Sequence, residues 1–271
     1  MPLSVNTNIG AMVALQSLNK TNKMLDITQQ RVNTGLRVAG AADDASSYQI
    51  AQGMKGDQAG YQAVQIALGL GAATVNTALK AGESVADLLT EMKAKIVQAN
   101  QSGLDNNSQS ALNSDVAALT TQITSIVNSA AFNGKSLIAS GATSLTVLST
   151  VGGSVISVSA ASIDTTALGI NAITVIGSSG AAAALTAISS AITLAASKLG
   201  GLGSSSKAVS IQNDFTSKFI DILTEGIGTM IDADLAKESA NLTSLQIKQQ
   251  LGTQALSIAN ARPQSLLALF R

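Results

Sequence analysis

The stretch Leu15–Leu36, LQSLNKTNKMLDITQQRVNTGL, decides how the chain is to be read. Leu15, Leu18, Asn22, Leu25, Gln29, Val32 and Leu36 follow one another at alternating intervals of three and four residues. That is one stripe of a helix at the 3.5-residue period of a coiled-coil seam. Asn22 and Gln29 are polar at seam positions, where such residues fix register and partner number at some cost in stability. Gly35 marks a break.

Outward from this helix the pattern repeats. A second stripe runs through Leu68, Gly71, Val75, Ala78, Gly82, Val85, Leu89, Met92 and Ile96, its small residues permitting close approach. NQSGLDNNSQS interrupts it near Gly103, and a third stripe follows through Leu112, Val116, Leu119, Ile123 and Ile126. FNGKS then supplies an Asn-Gly turn. Between Ser136 and Ser197 Asp164 is the only charged residue, and the texture changes. SLTVLST, Gly152-Gly153 and SVISVSA read as strand, tight turn and strand, with AITVIGS as a third strand. Helical spacing returns through Leu185, Ile188, Ile192, Ala195 and Leu199 and continues loosely through Ile211, Phe215 and Ile222. The last stripe places Leu235, Leu242, Leu245, Gln249, Gly252 and Leu256 together, Glu238 filling the missing place, and Pro263 ends or disturbs that helix.

Composition narrows the function. The chain has 271 residues, no Cys, no His and no Trp, and zero net charge. Without His or Cys it lacks the usual transition-metal ligands, the usual general base at neutral pH and any disulfide framework. Zero net charge argues against a nucleic-acid or acidic-membrane partner, because phosphate contacts need concentrated Lys and Arg. No run approaches the roughly 18 apolar residues of a membrane span, and MPLSVNTNIGAM has no cleaved-signal pattern. Aromatic residues are only 2% of a chain that is 46% hydrophobic. Thin seams between helices are filled by Ala, Leu, Ile and Val, whereas thick cores use aromatics, so rods are favoured over a ball.

The charged candidates divide between the two ends. All four arginines, Arg31, Arg37, Arg262 and Arg271, lie in the terminal segments. Their planar forks suit interfacial ion pairs. Asp43 and Asp44 are sequence neighbours whose side chains diverge by about 100° on a helix, so they cannot share a proton. An acid just ahead of ASSYQIAQGM instead caps free N–H groups at a helix start. Asp232, Asp234 and Glu238 form a second acidic cluster, in which Asp234 and Glu238, four apart on one face, would suit a weak hard-cation site, but a helix start with ion-pair partners explains the cluster better. No catalytic, cofactor or metal residue is assigned, and no cofactor is expected.

The two ends resemble bacterial flagellins. SVNTNIGAMVALQSLNKTNKMLDITQQRVNTGLRVAGAADDASSYQIAQ is similar to that family's N-terminal pattern. DADLAKESANLTSLQIKQQLGTQALSIANARPQSLLALFR is similar to its C-terminal hallmark, including the closing hydrophobic-Arg. The resemblance implies a mainly α, discontinuous and elongated helical rod with N- and C-terminal coiled-coil helices plus a small β-hairpin region near 140–180. Residues 1–40 and 232–271 would form the terminal polymerisation domain, 41–139 and 181–231 the helical rod domain, and 140–180 a small variable outer segment.

The implied function is that of a structural subunit, not an enzyme, polymerising into the bacterial flagellar filament for swimming. The chain would be secreted without a cleaved signal peptide through the flagellar export apparatus. The implied partners are further copies of itself in a helical homopolymer, with other flagellins, hook-associated and cap proteins and a flagellar export chaperone as candidates; neither nucleic acid nor membrane is expected. The junction residues would be Arg31, Arg37, Asp43, Asp44, Asp232, Asp234, Glu238, Arg262 and Arg271. Two rival readings use the same rod: a hook-filament junction protein, and a surface adhesin or glycan-binding module. Flagellins sensed by the host's flagellin-recognising Toll-like receptor carry a basic and acidic set in the stretch matching LTEMKAKIVQ. Here Glu91 stands where a basic residue is expected and Ala94 where an acid is, which implies poor receptor activation.

Overall fold

A computed structural model describes residues 7–267, the side chains of 178 and 262–267 excepted. Five helices and one hairpin follow in the order α1 (Ile9–Thr34), α2 (Ala45–Ala99), α3 (Asn106–Ser129), β1 (Leu145–Leu148), β2 (Val155–Val158), α4 (Ser178–Ile231) and α5 (Leu235–Leu267). The described residues divide into two compact units, one built from 7–56 and 222–267, the other from 57–221.

Local chemistry sets the helix ends. Asn8 caps α1, its Oδ1 accepting from Ala11 N at 3.0 Å. Gly35, at φ 72°, ends α1 in the left-handed region and donates its N–H to Arg31 O, a conformation glycine adopts without Cβ strain. Asp105 caps α3 through Ser108 N. The Asn133-Gly134 turn has positive φ at both residues, 50° and 73°. Phe132 and Lys135 exchange both backbone hydrogen bonds across it, as a type I′ turn requires.

In the 57–221 unit, α2, α3 and α4 bury one continuous apolar cluster from Val64 to Val209. Leu68, Val75, Val85, Leu89, Met92 and Ile96 are almost wholly removed from water, as are Val116 and Ile123 of α3. These are the residues of the second and third stripes. Strands β1 and β2 pair antiparallel with Leu145 opposite Val158 and Leu148 opposite Val155. Val147 and Val151 of this hairpin lie over Gly71 and Gly60 of α2. A side chain at either glycine would occupy the valine's space.

Four expectations change. AITVIGS is not a strand: Val175 N donates to Asn113 Oδ1 and Gly177 N to Gln109 Oε1, so α3 side chains take the donors a sheet would have used. The inward face of α4 beyond Ala195 is not Ile211, Phe215 and Ile222, which are exposed, but Leu202, Val209, Thr216 and Leu223 at intervals of seven. The Gly/Ser-rich GGLGSSSKA hid that heptad. Pro263 does not end α5, which runs on to Leu267. Finally, α4 is long and apolar enough by length and composition to cross a membrane, with a window of mean hydropathy 1.5. Interspersed Ser, Thr and Gly kept its apolar runs short, and its inward stripe is committed to the core.

Candidate functional site

The two ends of the chain meet. Helices α1 and α5 run antiparallel, and their contacts descend α5 as they ascend α1. Asn8 Nδ2 donates to Ala259 O at 2.7 Å. Leu18 packs on Gly252. Gln249 Nε2 donates to Asn22 Oδ1 at 2.8 Å. Arg31 Nη1 reaches Glu238 Oε1 at 3.3 Å. Leu36 then bridges Asp232 in antiparallel fashion, and Ala233 N donates to Gly35 O.

The ladder has a physical logic. Gly252 gives Leu18 room that a Cβ, only 3.1 Å from Leu18 Cδ1, would reduce. The Asn22–Gln249 pair places two amides where a one-turn slip would strand both among apolar neighbours. Glu238 is buried, its side chain 12% exposed against 33% for Arg31, so removal of either partner leaves a poorly hydrated charge. Beyond the helices, Val38, Ala51, Ile227 and Ile231 form a small separate core. Arg37 Nη2 donates to Met230 O there.

The structure sorts the seam residues into two sets. Leu18, Asn22 and Val32 are half-buried and Leu25 is buried, in line with Ala11, Ala14 and Thr28 on the face of α1 toward α5. Leu15 and Gln29 point outward, and Leu36 is half-buried at the bridge to Asp232. On α5, Leu242, Leu245, Gln249 and Leu256 are half-buried, while Leu235 is exposed. The sequence pointed to Leu15 because it is large, and passed over Ala11, Ala14 and Thr28 because they are small or polar.

The junction acids separate just as clearly. Asp43 Oδ2 accepts from Ala39 N and Gly40 N, closing the loop after α1. Asp44 precedes α2, and its carboxylate accepts from Ser46 N, Ser47 N and Ser47 Oγ. The Ser47 hydroxyl, with help from the Ser47 and Ser46 amides and the Arg37 charge, holds the Asp44 carboxyl below the usual carboxylate value. Asp234 starts α5 by accepting from Ala236 N and Lys237 N. Asp232, Asp234 and Glu238 thus have three separate tasks. The Arg262 side chain and all of Arg271 lie outside the described residues.

Outside this ladder the pair leaves several large apolar side chains uncovered, interspersed with polar ones. On α1, Ile9, Met12, Val13, Leu15, Met24 and Ile27 are exposed, as are Leu235, Ile247, Leu251 and Ile258 on α5. Two helices so decorated have an inner seam satisfied by each other and outer apolar side chains that nothing among the described residues covers.

Comparison with known proteins agrees with this layout. The family described as the bacterial flagellin N-terminal helical region matches residues 5–143, and that described as the C-terminal helical region matches 185–270. Flagellin FljK of Caulobacter vibrioides is 42% identical over 269 residues, covering 99% of this chain and 98% of that protein. A flagellin of Brucella melitensis is 37% identical, with 99% of each chain covered. The solved structure of Bacillus cereus flagellin matches 57% of this chain and 88% of that one at a TM-score of 0.50 and 18% identity, a likeness of fold.

Proposed function

We propose, on the premise that this chain belongs to the bacterial flagellin family, that the α1–α5 pair is the element through which it polymerises. Flagellins are structural proteins, and this chain is a self-polymerising structural subunit of the extracellular flagellar filament that drives swimming. The observation carrying the finer assignment is the set of large apolar side chains that the pair leaves exposed. Each large side chain buried there contributes about 1.5–3 kcal/mol, and copies of the same chain supply the cover.

A lone two-helix pair with large apolar side chains left uncovered is marginal in water until they are packed, so this arrangement couples stable ordering of the ends to assembly. A subunit whose ends order only on joining the filament can travel unfolded through the flagellar export channel and still polymerise at the tip. The same reading makes residues 1–40 and 232–271 the polymerisation domain. Other flagellins, hook-associated and cap proteins, and an export chaperone are further partners consistent with it.

Electron microscopy of seeded protein tests the assignment, comparing the full chain with one lacking residues 1–35 and 236–271. Long tubes from the full chain and none from the truncated one are expected. Tubes from the truncated chain, or only short rings from the full one, would remove the terminal helices from this role.

A further inference from the structure

The Asn133-Gly134 turn carries a chemistry that the helices do not use. Asn133 is the only asparagine of the chain that precedes a glycine. Elsewhere asparagine side chains are tied to distant segments: Asn8 to Ala259 O, Asn22 to Gln249, Asn76 to Ser206 and Asn113 to Val175 N. Asn133 and Gly134 are both exposed. Among the described residues neither the Asn133 side-chain amide nor the Gly134 N–H has a hydrogen-bond partner. A type I′ turn leaves that N–H unpaired, because only its outer residues, here Phe132 and Lys135, bond one another.

These features meet the requirements of one reaction. The backbone nitrogen that follows an asparagine can attack the side-chain carbonyl carbon, and glycine presents that nitrogen with no Cβ in the way. In the folded chain Asn133 sits in the left-handed region at φ 50°, and the attack needs it to rotate out of the turn. What holds it there is one pair of backbone hydrogen bonds, of 2.9 and 3.0 Å, between Phe132 and Lys135. Opening an exposed turn so lightly tied costs far less than unfolding the core.

We propose that Asn133 is a site of spontaneous deamidation in the folded protein, with water as the only co-reactant. Gly134 N gives its proton to hydroxide and forms a bond to Asn133 Cγ. The bond from Cγ to the amide nitrogen breaks, and that nitrogen takes a proton from water and leaves as ammonia, which regenerates the hydroxide. Water then opens the five-membered imide. Opening at Cγ gives an aspartate, whereas opening at the main-chain carbonyl gives an isoaspartate. No oxidant or reductant takes part.

The isoaspartyl product routes the main chain through Cβ and lengthens the turn by one carbon. Little slack exists to absorb it. Leu137 and Ile138 are wholly buried just beyond the turn, and their carbonyls accept from Ala161 N and Ile163 N at 2.8 and 3.0 Å. Either product also places a carboxylate at the groove between α2 and β1, which Asn133 and Lys135 both line. There it competes with Thr143 Oγ1, to which Lys135 Nζ donates at 2.6 Å.

The full chain is aged at mildly alkaline pH, in native buffer and in denaturant, and sampled over days by tryptic mass spectrometry. In native buffer the exchange of ammonia for water should come first at Asn133, placed there by fragmentation of the peptide that ends at Lys135. Enzymatic methylation should detect isoaspartate in the same peptide, and aged protein should melt about 2–4 °C below fresh. Asn133→Gly removes the amide and suits positive φ at both turn positions. It should match fresh wild type in helicity by circular dichroism and show neither the mass change at the turn nor the melting shift. Deamidation of Asn133 in denaturant but not in native buffer would overturn the proposal, since the turn would then protect the site. So would native ageing that strikes other asparagines first, or an equal melting shift in Asn133→Gly.

Discussion

Asn8 Nδ2 donates to Ala259 O, the very carbonyl that Pro263 leaves without its helical donor. In an α-helix residue 263 would give its N–H to residue 259, and proline has none. The amide of Asn8 fills that place while its Oδ1 caps α1 at Ala11 N. One side chain thus starts the first helix and repairs the last, which is why α5 passes through Pro263.

Asn8→Asp keeps the cap acceptor but turns the donor into a second acceptor facing Ala259 O. The filament's thermal dissociation midpoint should fall, with a cost of about 1–2 kcal/mol per subunit. Pro263→Ala restores the backbone N–H, so the penalty of Asn8→Asp should shrink in the double variant. Equal penalties in the two backgrounds would mean that the two sites act independently.

The Asn22–Gln249 pair predicts a register effect. Asn22→Leu removes the partner of Gln249 Nε2 and should cost about 1–2 kcal/mol of pairing. The double Leu variant should recover much of that stability while admitting slipped pairings. Cysteine pairs placed at matched and one-turn-slipped positions of α1 and α5 would count the two registers.

Stability should be nearly flat from about pH 5 to 9, since no histidine is present and no other side chain ordinarily titrates there. The Asp44 and Asp105 carboxyls are held below 3.8, in both cases chiefly by a serine, Ser47 and Ser108 respectively. A depressed native value means that the contribution is complete above 3.8 and is lost as pH falls through the lower native value. At the other extreme, the hydrogen bond and charge of Asp115 hold Lys95 above 10.5, so its contribution fades as pH rises through that raised value. Thermal melts by circular dichroism between pH 2 and 7 should show the acid loss, and Asp44→Asn with Asp105→Asn should make it shallower.

Gly71→Ala pits two effects against each other. Alanine favours the helix by about 0.5–1 kcal/mol, but its Cβ would lie 2.5 Å from Val147 Cγ2. Overpacking of this kind typically costs about 1–3 kcal/mol, so the variant should melt lower than wild type. Val147→Ala added to it should recover part of the loss.

Glu91 and Ala94 both lie exposed on α2, where a receptor would find them. Reporter cells carrying the flagellin-recognising receptor should respond weakly at ordinary flagellin doses. Glu91→Arg with Ala94→Glu should raise the response.

The fold was legible wherever an apolar period was regular. Leu68 to Ile96 and Leu112 to Ile126 are inward stripes in the sequence and in the structure, and the Gly152-Gly153 hairpin falls where β-branched residues flank a turn. Legibility failed where chemistry other than hydropathy decided the outcome. Val175 and Gly177 gave their amides to Asn113 and Gln109, more than 60 residues away in sequence. The Gly/Ser run of α4 concealed a heptad that resumes at Val209. In the terminal pair, the polar partners Asn22 and Gln249 were visible as stripe members, but only the three-dimensional register joined them. Asn8 was invisible as a partner of α5 because a carbonyl freed by a proline carries no side-chain signature.

Asn8 and Ala259 are 251 positions apart, and Asn22 and Arg31 wait almost as long for Gln249 and Glu238. The inner ladder therefore cannot close on a chain that was cut short or is still being delivered. An incomplete molecule presents α1 with its seam open and no α5 to meet it, so closure of the ladder registers that the chain has been delivered through its last helix.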